Sequence, residues 1–206
     1  MGYEPGRSTG RHRRALAIFR QHGGTLRTSE ALARGVHPAT LYELRDSGAL
    51  TRLSRGLYRL AELPPMERPA LVTACLRVPR GVICCRSALA FHGLLGEAPV
   101  SVELALPRGH HEPQVRKPPI DCHWFAGGAY RHGVEHHACD DAEIRVYSPA
   151  KSVCDCLKLR SQIGARQAVQ ALRAYMRSPS FDAAALLEAA RICHVERLVS
   201  IYAEVL

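Results

Sequence analysis

From Arg11 to His22, apolar residues recur at Ala15, Leu16, Ile18 and Phe19, while Arg11, Arg13, Arg14 and Arg20 fill the positions between. That spacing predicts an amphipathic helix, stopped by Gly23-Gly24. Thr25-Leu26-Arg27 is short and compatible with a strand. Thr28 or Ser29 is placed to cap a second helix through Ala31, Leu32 and Ala33, ending near Gly35. His37-Pro38 opens a third, because a first-turn proline gives up an N–H that the helix does not use. Leu41 and Leu44 form its inward face, and Ser47-Gly48 ends it. Leu50 to Leu53, the turn Ser54-Arg55-Gly56 and Leu57 to Leu60 then read as a hairpin. Three short helices followed by a basic hairpin is the element order of a winged helix-turn-helix.

The pattern changes after Ala61. Pro64-Pro65 and Pro69 predict a linker over 62–69. Beyond it, Ala70 to Val78 has helical character, Val82 to Cys85 reads as a buried segment, and Ser87 is placed to cap a helix from Ala88 to Leu95. Val100 to Leu106 alternates with period two, and Ile120 to Phe125 and Ile144 to Tyr147 are further strands, joined by Gly- and His-rich loops. The last sixty or so residues turn helical, opening with Ser148-Pro149 and a face of Ala150, Val153, Cys154 and Leu157. A second helix has Ala168, Leu172, Tyr175 and Met176 inward, and a third runs through Leu186, Leu187 and Ala190. A fourth, from Val195 to Val205, buries Leu198, Ile201, Tyr202 and Val205. The expected fold is α+β: a flexible N-terminus over 1–10, a winged helix-turn-helix over 11–61, the linker, and over 70–206 an α/β domain ending in a helical bundle.

Composition sharpens this division. The 206 residues carry a formal charge of +9, and 47% are hydrophobic, as in a folded chain. Residues 1–61 hold eleven arginines against four acidic residues, a net of +7, while the remainder is close to balanced at +2. A positive field concentrated on one small unit points to a polyanion, most often nucleic acid. In a winged helix-turn-helix the second helix braces on the phosphates, the third enters the major groove and the wing reaches backbone or minor groove. The DNA-contact candidates are therefore Arg11, Arg13 and Arg14 on the first helix and Thr28 and Ser29 at the second. His37, Thr40, Tyr42 and Arg45 follow on the third, and Arg52, Arg55 and Arg59 on the wing. Glu43 and Asp46 oppose phosphates, so the wing and first helix are expected to supply much of the affinity.

Eight cysteines are present without a C-x-x-C pair, and the histidines between His110 and His137 lack ligand spacing, so neither a metal nor a cofactor is expected. Cys154 reads as a core thiol with Cys156 beside it, and Lys151 as a helix-surface cation four residues before Asp155. A nuclease needs clustered carboxylates with a nearby Lys to hold Mg2+; Asp140-Asp141-Ala142-Glu143 is followed by Ile144-Arg145, and Glu103 by Leu104-Ala105, so an enzyme is not expected. Neither a membrane span nor a leader over Met1 to Gly10 is visible, which places the expectation in the cytoplasm.

The chain resembles the AbiEi antitoxins of type IV toxin-antitoxin systems. In the first unit the resemblance lies in Gly24-Thr25-Leu26, Ser29, Thr40-Leu41-Tyr42 and Leu53-Ser54-Arg55-Gly56-Leu57-Tyr58. In the second it lies in Arg80 to Cys84, Ser87-Ala88-Leu89-Ala90-Phe91-His92-Gly93-Leu94, Pro107-Arg108-Gly109 and Val146 to Asp155. The chain departs from the family at His37-Pro38-Ala39, where members often have Ser followed by basic residues. The resemblance implies a repressor that binds promoter repeats of its own operon as double-stranded DNA through the winged helix. It also implies a C-terminal domain that counteracts a nucleotidyltransferase toxin, without requiring a stable complex with it. Oligomeric or cooperative binding on DNA is compatible with this reading. The alternative is a stand-alone repressor whose larger domain senses a ligand, metal or oxidant through Cys84-Cys85 and the histidines.

Overall fold

A computed structural model describes residues 5–140 and 142–205, with side chains at 10–140 and 142–203. The fold is mixed α and β, with two separate sheets. Contacts divide the chain into two compact units, residues 1–73 with 138–142, and residues 74–137 with 143–206.

The first unit opens with α1 (Pro5–Gln21), which starts before Arg11, where the apolar periodicity begins. It continues through β1 (Thr25–Arg27), α2 (Thr28–Ala33), α3 (Pro38–Asp46), β2 (Leu50–Ser54) and β3 (Leu57–Leu60). The three strands form an antiparallel sheet with β3 in the middle. Ala15, Phe19, Leu26, Ala31, Val36, Leu41, Leu44, Leu50, Tyr58 and Leu60 make one core from all three helices and the sheet. Gly24 joins α1 to β1 at φ +75°, a conformation that disfavours side chains, and a Cβ there would lie 2.4 Å from Leu63 Cδ1. Its carbonyl accepts the Leu60 N–H at 2.9 Å, which ties the turn to β3.

Neither Thr28 nor Ser29 caps α2. The flanking position is Arg27, whose N–H donates to the Glu30 carboxylate at 2.9 Å. A carboxylate in the first turn reaching back to that N–H does the work expected of a hydroxyl.

In the second unit, α4 (Pro69–Arg77), which begins within the first unit's span, leads to β4 (Val82–Ile83), α5 (Cys85–Phe91), β5 (Val102–Pro107) and β6 (Ile120–Phe125). Next come α6 (Gly127–Arg131), β7 (Val134–Cys139), β8 (Ala142–Tyr147) and α7 (Pro149–Lys158). The C-terminal helices are α8 (Arg160–Ile163), α9 (Ala165–Met176), α10 (Ala183–Cys193) and α11 (Glu196–Val205). The sheet has the order β6-β5-β4-β8-β7. β4 is two residues long, antiparallel to β5 and parallel to β8 through Ile83 opposite Val146. β5 is buried from Val102 through Leu106, so both its faces are covered and the alternation seen along Val100 to Leu106 does not mark a solvent side. Val100 itself is 96% exposed and precedes the strand.

Three expectations for this unit are corrected. Ser87 is not a cap: α5 begins at Cys85, because the Glu103 carboxylate from β5 accepts the N–H groups of Arg86 at 2.6 Å and Ser87 at 3.3 Å. The His-rich segment expected as loop contains β7 and follows the short α6. Lys151 is not a surface cation. It lies wholly buried in α7, with Nζ 2.6 and 2.5 Å from the two carboxylate oxygens of Asp155 and 4.2 Å from the centroid of the Tyr147 ring. Phe125 faces the same ammonium at 4.6 Å. Two aromatic faces and a carboxylate together replace the water this cation has lost.

Around α7 pack α5, α9 and α10. Ala168, Leu172 and Tyr175 are inward as their spacing predicts. Leu187 and Ile201 are exposed instead, and the buried positions beside them are Ala189, Ala190, Val195 and Val199. The side chain of Val205 lies outside those described. Among the described residues no helix is long and apolar enough to cross a membrane.

Candidate nucleic-acid interface

Helix α3 presents one face to the core and the other to solvent. Its N-terminus is set by His37, whose Nδ1 accepts the Ala39 N–H at 3.2 Å, with Pro38 in the first turn. Ala39, Tyr42 and Glu43 are exposed, and Arg45 is partly so. Thr40 is 3% exposed, which corrects its expected place among the outward residues. Thr40 and Leu44 are four residues apart and so share a face, which the pairing of Leu41 with Leu44 alone did not reveal.

The outward groups of α3 are held by near neighbours. The Arg45 guanidinium donates to the Asp46 carboxylate at 2.7 Å and lies 5.1 Å from the centroid of the Tyr42 ring. Glu43 pairs with His12 of α1 at 2.7 Å, so one of the two acidic groups on this helix has a partner at the surface. The hydrogen bond to Asp46 is the main reason the Arg45 pKa is raised above the ordinary guanidinium value.

The hairpin supplies the second group of cations. Arg55 and Gly56 separate β2 from β3, and Gly56 has φ +72°, the left-handed conformation expected of a tight hairpin turn. Arg52 and Arg55 are exposed. Arg59, expected to reach outward from the wing, is instead 6% exposed on the central strand, and its guanidinium donates to the Leu63 carbonyl at 3.4 Å. All four residues of β3 are buried, so the face that carries Arg59 is covered as well as the core face. Arg11, Arg13 and Arg14 are exposed on α1, whereas Arg20 is engaged with Glu62 at 2.8 and 3.0 Å. Ser29 is exposed and Thr28 half-buried, its N–H donating to the Gly56 carbonyl at 2.9 Å.

Residues 13–61 match the family model described as "Transcriptional regulator, AbiEi antitoxin". This segment is similar to the AbiEi regulators. Its match spans most of α1 with α2, α3 and the hairpin, so it includes Arg13 and Arg14 on α1, Arg45 on α3 and Arg52 and Arg55 of the hairpin, and it supports a DNA-binding regulatory role. The fold is also similar to a crystal structure of the RV2827C protein from Mycobacterium tuberculosis, with a TM-score of 0.56 and 13% identity over 94% of this chain and 80% of that one. At that identity the likeness is one of fold. No curated protein matched the chain.

Outside the matched segment, residues that carry the resemblance in the second unit make internal hydrogen bonds. His92 Nε2 donates to the Tyr147 carbonyl at 2.9 Å, Ser152 Oγ donates to the same carbonyl at 3.2 Å, and Ser87 Oγ accepts the Glu103 N–H at 2.9 Å. Most of the histidines considered as sensors are not assembled into one site: His136 pairs with Glu143 and His137 with Glu135. Cys84, Cys85 and His123 are brought together, with one donor atom from each within 4.8 Å of the others. No sequence spacing announces this trio, because His123 arrives from β6 across β5.

Proposed function

We propose that the first unit is a winged helix-turn-helix that binds double-stranded promoter DNA and represses the operon encoding it, and that the second unit counteracts a nucleotidyltransferase toxin. The observation that carries the reading is the AbiEi match over 13–61, on a module whose exposed cations lie on α1 and the β2–β3 hairpin while α3 offers Tyr42 and Arg45. In this reading Arg11, Arg13, Arg14, Arg52 and Arg55 neutralise phosphates, Ser29 and Thr28 line the backbone, and His37, Ala39, Tyr42 and Arg45 meet base edges. Arg45 then exchanges Asp46 for a base, an exchange favoured where the competing pair is exposed and weak.

A mobility-shift titration of the full chain on its upstream promoter, at several salt concentrations, tests the DNA half. Specific retardation with log affinity falling linearly in log salt is expected. Equal affinity for promoter and unrelated DNA overturns it. Co-expression with the neighbouring nucleotidyltransferase tests the other half: growth rescue by the full chain, and its loss when core positions of α7 are disrupted while DNA binding persists, is the expected result.

A further inference from the structure

The Cys84-Cys85 pair sits where β4 passes into α5, and Cys85 adopts φ +47°, a left-handed conformation that a cysteine rarely takes. This turn aims consecutive thiols into one space. His123 lies opposite Ala105 in the β5–β6 register, and Ala105 in turn lies opposite Val82 on β4. The small side chain between these strands leaves room for an imidazole beside the thiols. Cys156, buried on α7, lies beside Cys85 and offers a third sulfur. Both residues of the vicinal pair are fully buried, yet His123 Nε2, itself buried, has no hydrogen-bond partner. A buried ring nitrogen with no partner, on a histidine gathered with two thiols, is a group open to a ligand.

We propose that Cys84, Cys85, Cys156 and His123 form a binding site for a zinc-class divalent cation. Three sulfurs and one imidazole nitrogen are a donor set that suits tetrahedral Zn2+ and excludes hard cations such as Mg2+ and Ca2+. In such a site, metal–sulfur bonds of about 2.3 Å set donors roughly 3.8 Å apart, so the trio's spread closes by small side-chain rotations. Binding replaces up to three thiol protons, which leave to solvent, and forms three metal–sulfur bonds and one metal–nitrogen bond without any change of oxidation state. The site is independent of the DNA-binding reading, and each can fail alone.

The test uses the full chain, reduced and stripped of metal, titrated with Co2+ and then Zn2+. One equivalent of Co2+ giving thiolate charge-transfer and tetrahedral ligand-field bands, displaced by Zn2+, is the expected result. The double variant Cys84→Ser with Cys85→Ser loses the bands, and His123→Ala weakens binding by about tenfold or more, since even loss of an outer partner costs about that much. Cys122→Ser, beside His123 but on the opposite face of β6, leaves them intact. One equivalent of Zn2+ also raises the thermal unfolding midpoint of the unaltered chain, a readout that survives if a variant fails to fold. Absence of the bands, their persistence in a folded double variant, or isolation of a Cys84–Cys85 disulfide with no metal uptake overturns the proposal.

Discussion

In the first unit the paired cations lie at the surface, with Arg20 joined to Glu62 and Arg45 to Asp46, and Arg59 is the buried exception, whereas the second unit encloses Lys151 and Asp155 completely. The chemistry of the pairs is alike and their environments are opposite. An exposed pair in high dielectric contributes little to folding and can be exchanged for a phosphate or a base at small cost. A buried pair cannot be exchanged at all, because either partner left alone is an unsolvated charge. The first unit therefore keeps its exposed arginines available, while the second uses its ion pair to define how α7 lies against Phe125 and Tyr147.

The largest expected effect lies in the buried pair. Lys151→Met should cost about 3–5 kcal/mol in urea unfolding, and adding Asp155→Leu should recover most of it. A neutral Lys151→Met would erase the contrast. Next comes the hairpin: Arg52→Ala with Arg55→Ala should lower the salt slope of DNA binding by about 2 while leaving the unfolding midpoint nearly unchanged. If the slope holds, the hairpin is not on the backbone. Tyr42→Ala or Arg45→Ala should relax sequence preference by about tenfold with little change in non-specific affinity, read by selection from a random operator library. The smallest effect separates Arg59 from its neighbours. Arg59→Ala should lose about 1–2 kcal/mol of stability and leave the salt slope alone, because its partner is the Leu63 carbonyl rather than DNA.

The contrast between the units also governs how much could be read from the chain. Elements whose ends are set locally were legible: α3 by Pro38, α7 by Ser148-Pro149, and the hairpin by Arg55-Gly56. Elements set from a distance were not. The start of α5 depends on Glu103, a carboxylate on another strand, so Ser87 looked like the cap. Val134 to Cys139 has neither a run of β-branched residues nor strict alternation, and it becomes β7 only by pairing with β8. Thr40 and Arg59 are polar residues on covered faces, and polarity alone assigned them to the surface. The Lys151–Asp155 spacing was visible, but not its burial, which comes from α5, α9 and α10 closing over α7. The trio of Cys84, Cys85 and His123 is assembled by strand register and is silent in any linear motif.

The two-residue strand β4 has a consequence for how the second unit opens. Val82 and Ile83 join β5–β6 on one side to β8–β7 on the other, and the link to β8 runs through the single register pair Ile83 and Val146. β5 and β6 are near neighbours in the chain, but Ile83 and Val146 close a long loop, the kind of contact that forms late and is released early. The larger sheet thus behaves as two strand pairs sewn along a seam, and native-state amide exchange should show them as separate cooperative blocks. The seam leads directly into Cys84. A ligand that gathers Cys84 and Cys85 onto His123 of β6 and Cys156 of α7 would fasten β4 from both sides and raise protection across both blocks together.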